Sequence, residues 1–126
     1  MADHKTHQRI LVIDDEPDVN ITLKLALEGE GFDVDTFDNP KLALSSFRPN
    51  YYDLLLLDIK MPGMNGFEFF RQIKKIDDNI KVCFLTAAEF SSHEDFLKEK
   101  EINAKCFAHK PILLEELAKL IKEQLK

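Results

Sequence analysis

The chain has 126 residues, 44% of them apolar and 32% charged, and its 17 basic and 23 acidic side chains leave a formal net charge of −6. At about 150 residues per domain this is one domain, long enough to bury roughly two thirds of its unfolded surface without staples. The acidic excess argues against a protein that coats a nucleic-acid backbone, no apolar run nears the ~20 residues of a membrane span, and the polar stretch from Met1 to Arg9 does not read as a signal sequence.

Short apolar runs alternate with helical patterns. Ile10-Leu11-Val12-Ile13 predicts a first strand that runs into Asp14-Asp15-Glu16. Pro17 suits the first turn of a helix, whose apolar positions Val19, Leu23, Ala26 and Leu27 recur at helical spacing, with Ile21 and Leu25 widening the stripe until Gly29 and Gly31 end it. Asp33 to Phe37 predicts a more polar strand at or near an edge. Asn39-Pro40 predicts a cap and first turn, with Leu42, Leu44 and Phe47 on a short helix that stops near Pro49. Leu54 to Leu57, four leucines between Asp53 and Asp58, is too short for a helix and predicts a strand covered on both faces.

Met61-Pro62-Gly63-Met64 reads as a loop, and Asn65 caps a helix from about Gly66 to Lys75. Val82 to Leu85 predicts a fourth strand, and Ser91 or Ser92 the cap of a fourth helix. Ala104 to Ala108 predicts a fifth strand, and Pro111 opens a last helix reaching about Gln124. Cys83 and Cys106 lack metal-site spacing and lie in apolar segments, so they are expected as buried, reduced thiols, with a disulfide as the alternative. Met1 to Gln8 is expected as a loose tail, and residues 9–126 as the domain.

Five strand–helix units imply a parallel sheet with helices on both faces. In such sheets sites form at the carboxyl ends of the strands. Here the first strand delivers Asp14 and Asp15, the third Asp58, the fourth Thr86, and the fifth leads to Lys110. Carboxylates brought to ~4 Å repel by about 4 kcal/mol per pair at an effective dielectric near 20. A cation relieves this, and an all-oxygen donor set points to Mg²⁺, with Mn²⁺ as the alternative. A metal and a lysine together suit a phosphoryl group. Asp58, at the end of the middle strand, is the carboxylate best placed to accept it as an acyl phosphate.

At these residues the sequence resembles the receiver domain of two-component response regulators. The resemblance runs from about Arg9 to the last helix. It is carried by Ile10-Leu11-Val12-Ile13-Asp14-Asp15-Glu16-Pro17, Leu57-Asp58-Ile59-Lys60-Met61-Pro62-Gly63-Met64-Asn65-Gly66, Thr86-Ala87 and Lys110-Pro111. It implies a flavodoxin-like, doubly wound α/β fold with strand order 2-1-3-4-5. It also implies Asp58 as phosphoacceptor and Mg²⁺ ligand, Asp14 and Asp15 as the acidic pair that holds Mg²⁺ with Asp15 the more direct ligand, and the Lys60 backbone carbonyl as a further ligand. Thr86 matches the hydroxyl that swings toward the phosphoryl group, Lys110 the lysine that contacts it, and Phe107 the switch aromatic.

Five positions vary the pattern. Phe107 has no hydroxyl, which leaves a rotameric burial switch; Asn103 replaces a frequent glycine; Ile112 replaces a common phenylalanine; and Lys60 and Ala88 occupy the two positions that set phosphoryl lifetime. The implied function is a phosphorylation-controlled interaction module in the cytoplasm. Its own catalysis is limited to phosphoryl transfer onto and off Asp58, and the donor is a histidine kinase or phosphotransfer protein. The response is expected as a graded population shift on the surface of the fourth helix, fifth strand and last helix, since a complete switch needs about 5.5 kcal/mol.

The output is expected as a downstream protein or a missing output domain, with no direct nucleic-acid or membrane binding, in a monomer or a weak phosphorylation-dependent dimer. A haloacid-dehalogenase-type phosphatase is disfavoured because Lys60 stands where that chemistry needs an acid. A flavodoxin or nucleotide binder is disfavoured by the lack of a glycine-rich phosphate loop.

Overall fold

The computed structural model describes residues 7–86, 106–111 and 113–126. Five parallel strands, β1 (Arg9–Ile13), β2 (Asp33–Phe37), β3 (Leu54–Asp58), β4 (Lys81–Thr86) and β5 (Phe107–His109), form one sheet in the order β2-β1-β3-β4-β5. Four helices belong to the described residues: α1 (Pro17–Gly29), α2 (Pro40–Ser46), α3 (Gly66–Ile76) and α4 (Leu114–Gln124). The expected helix after Ser91 or Ser92, together with Ala88, Asn103, Ala104 and Ile112, lies outside the described residues.

The leucine run of β3 shows how the sequence builds both layers. Side chains alternate along a strand, so Leu54 and Leu56 join α1 and α4 on one face, while Leu55 and Leu57 join α2 and α3 on the other. All four are fully buried, each contributing roughly 2 kcal/mol by transfer from water. Their strand is central, with β1 on one side and β4 on the other. The polar β2 is an edge strand as expected, with only Val34 fully inside. Asn39 caps α2 by accepting from Lys41 N and Leu42 N. Asn65 and Glu68 close a reciprocal capping box at the start of α3.

Several local expectations need correction. Leu42 is exposed, because the short α2 turns Pro40 and Ala43, three residues apart, toward the sheet. The broad stripe of α1 is narrower than its sequence suggests: Asn20, Leu23 and Leu27 are buried, while Ile21 and Leu25 face outward. The last helix starts at Leu114, not Pro111. Beyond β5 the Lys110 amide still donates to the Thr86 carbonyl at 2.7 Å, so the chain is following β4 where the sequence expects a helix to open.

Cys83 and Cys106, expected as reduced thiols, are joined as a disulfide with Cα atoms 4.5 Å apart. The register pairing Phe84 with Phe107 places the two cysteines side by side one step earlier, buried in the same cluster.

Candidate phosphoryl and metal site

The strands end at one edge with their chemistry intact. Asp14 follows β1, Asp58 is the last residue of β3, Thr86 the last of β4, and Lys110 follows β5. Asp14 is fully buried and Asp58 is 4% exposed. Lys110 Nζ lies 2.6 Å from Asp14 Oδ2, 3.6 Å from Asp58 Oδ2 and 3.7 Å from Glu16 Oε1. Carboxylate oxygens of Asp14, Asp15 and Glu16 come within 4.8 Å of one another, and Asp14 and Asp15 both act on the Asp58 carboxyl. Glu16 is thus a member of the cluster that sequence reasoning did not assign.

One lysine does not balance four carboxyl groups. Burial pushes the Asp58 carboxyl up to about 7; Asp14 pushes the same way, Lys110 pulls it down, and Asp15 raises it again. Burial alone would lower the Lys110 ammonium, but its hydrogen bond to Asp14 and the charges of Asp14, Asp58 and Glu16 outweigh it and hold it above its ordinary value. The donor set is all oxygen, which fits a hard divalent cation such as Mg²⁺. The excess of acid over base is the condition such an ion relieves.

Two further residues shape this edge. Asn20 is buried on the inner face of α1, and its side-chain amide donates to Asp14 O at 2.8 Å and Phe37 O at 3.1 Å, tying the acidic turn to β1 and β2. Gly66 donates its amide to Ile59 O at 2.8 Å, and a Cβ there would stand 2.6 Å from Asp58 O, so only glycine permits this approach of α3 to the turn after Asp58. Asn20 leaves one signal in the sequence, a polar residue in register with the apolar stripe of Leu23 and Leu27. The close approach at Gly66 leaves none.

Of the remaining expected residues, Phe107 is half-buried and stacks on Phe84 at 5.5 Å. The side chain of Lys60 is exposed beside the site. The Thr86 hydroxyl is 2.8 Å from His109 Nδ1, a partner that sequence reasoning did not assign. No helix among the described residues is long and apolar enough to cross a membrane.

The chain is thus an α/β domain with an open parallel sheet and an acid cluster with a lysine at its carboxyl edge. The model of the response regulator receiver domain matches residues 10–122, and the chain belongs to that family. It is 32% identical over 119 residues to sporulation initiation phosphotransferase F of Bacillus subtilis, covering 94% of both chains. It is 34% identical to the DNA-binding response regulator MtrA of Mycolicibacterium smegmatis, covering 94% of this chain and 51% of that protein. It therefore spans nearly all of one such relative and about half of another. Among solved structures, the non-phosphorylated HemR receiver domain from Leptospira biflexa superposes with a TM-score of 0.84 at 30% identity, over 94% of each chain.

Proposed function

We propose that this receiver domain accepts a phosphoryl group on Asp58 from a histidine kinase or phosphotransfer protein and passes the change to a protein partner or output domain. The observation that carries this reading is the position of Asp58: buried at the end of the central strand, 3.6 Å from the Lys110 ammonium and against the acidic turn. Asp14, Asp15 and Asp58, with the Lys60 carbonyl, would hold Mg²⁺, which when bound neutralises charge on phosphoryl oxygens.

A carboxylate oxygen of Asp58 attacks phosphorus. The bond from phosphorus to the donor breaks, its electron pair leaves with the donor, and an acyl phosphate remains. Lys110 pairs with a phosphoryl oxygen and Thr86 donates its hydroxyl to another. Hydrolysis reverses the state: water attacks phosphorus, the bond to Asp58 breaks, and phosphate departs. Engagement of Thr86 alters the packing around Phe107 and shifts the populations of the β5–α4 surface.

The reading is tested by incubating the protein with acetyl phosphate and Mg²⁺ and measuring intact mass. A gain of about 80 Da, one phosphoryl group, is expected for the wild type and not for Asp58→Asn. A wild type without the adduct, or a variant that keeps it, overturns the assignment.

A further inference from the structure

In the unphosphorylated protein the Thr86 hydroxyl is already engaged. Thr86 and His109 are directly opposite across β4 and β5, and Oγ1 lies 2.8 Å from Nδ1. Two residues back on each strand, Phe84 pairs with Phe107, and their rings stack at 5.5 Å with 23° between planes. Side chains two apart share a face of a strand. The four residues therefore form two adjacent cross-strand pairs on one face, one polar and one aromatic. Thr86 is fully buried, whereas His109 reaches solvent. The residue after His109 is Lys110, whose amide donates to the Thr86 carbonyl.

A threonine hydroxyl carries a single proton. When His109 bears its proton on Nε2, Nδ1 is an acceptor and takes that bond. The same proton is then not available to a phosphoryl oxygen on Asp58. We propose that His109 is a positioning residue that holds the Thr86 hydroxyl on the β5 side and opposes its engagement with the phosphoryl group. The proposal rests on the reading of Asp58 as phosphoacceptor and Thr86 as its hydroxyl donor, and His109 acts on the phosphoryl group only through Thr86. Because the polar pair neighbours the aromatic one, release of Thr86 also frees the imidazole beside Phe107. This couples the site to the surface of β5 by contact rather than by distance.

The experiment titrates the full chain with beryllofluoride, a phosphoryl mimic, in Mg²⁺ at pH 8, reading Asp58 occupancy and the imidazole nitrogens by NMR. Losing one neutral hydrogen bond that competes with the bound state should tighten binding about three- to tenfold in His109→Ala. His109→Asn, whose amide oxygen reaches the place of Nδ1, should return wild-type affinity. In a Thr86→Ala background, His109→Ala should change nothing, since the bond it removes is already gone. In the free wild type Nδ1 should be unprotonated, and its resonance should move on beryllofluoride binding.

Equal affinities for wild type and His109→Ala overturn the proposal, as does the same effect in the Thr86→Ala background or a protonated Nδ1 in the free protein. A wild type that does not bind beryllofluoride at all sinks the phosphoacceptor reading, and the role of His109 with it. That result is distinct from normal binding indifferent to His109.

Discussion

At the amino end of the sheet, Asp77 is buried and accepts the backbone amides of Asn50 at 2.8 Å and Asn79 at 3.2 Å, while Asp53 accepts that of Arg9 at 2.8 Å. At the carboxyl end, Asp14, Asp15, Glu16 and Asp58 crowd together, and Asp14, Glu16 and Asp58 share Lys110. The same side chain does different work in the two places. Carboxylates that take backbone N–H groups hold loops together. Asp58, buried and crowded by other acids, loses by being charged.

The contrast is broken most completely through chemistry. Asp58→Asn should abolish the acetyl phosphate adduct, while Asp77→Asn should leave it intact; intact mass reads both. Stability should move in opposite directions. Asp77→Ala leaves two backbone amides without their partner and should cost about 2 kcal/mol in urea denaturation. Asp58→Asn, at pH 8 without divalent cations, should gain about 1 kcal/mol, a figure kept small because Glu16, with its side chain 63% exposed, opens the cluster to screening water.

The pH dependence sharpens the same point. A carboxyl raised to about 7 in the folded state keeps a proton that the unfolded chain has lost above pH 4. Its contribution to stability is therefore full below about pH 4, falls as the pH rises from 4 to 7, and is lost above 7. Denaturant midpoints should follow that slope in the wild type and flatten in Asp58→Asn. Below pH 7 Mg²⁺ must displace the proton, so its affinity should rise by up to about tenfold per pH unit until 7. At ten times its Kd it should add about 1.4 kcal/mol of stability. The smallest effect is expected from Lys60→Ala, a few-fold faster autodephosphorylation if the lysine side chain obstructs the attacking water; an unchanged rate discards that role.

Most of the architecture was legible because it is local. Apolar runs bounded by Asp or Pro mark strands, and Asn39 and Asn65 announce helices before any contact is known. The candidate site was legible for a related reason: Asp14, Asp58, Thr86 and Lys110 each stand at or next to the end of a strand, and a parallel sheet gathers such ends at one edge. What escaped depends on register. Nothing in the local pattern says that Cys83 stands beside Cys106, or that His109 lies opposite Thr86, because two segments 23 residues apart fix both. Asn20 escaped because a polar residue on a helix reads as solvent-facing until the carbonyls of Asp14 and Phe37 are seen beneath it.

Asp58, crowded by neighbouring acids, is the group that a bound divalent ion would relax. The most direct measurement follows the side-chain carboxyl carbon of Asp58 by ¹³C NMR through a pH titration, with and without Mg²⁺. A midpoint near 7 in the absence of the ion, falling well below that in its presence, is the result predicted here. A midpoint near 4, the ordinary aspartate value, that Mg²⁺ leaves in place would contradict it.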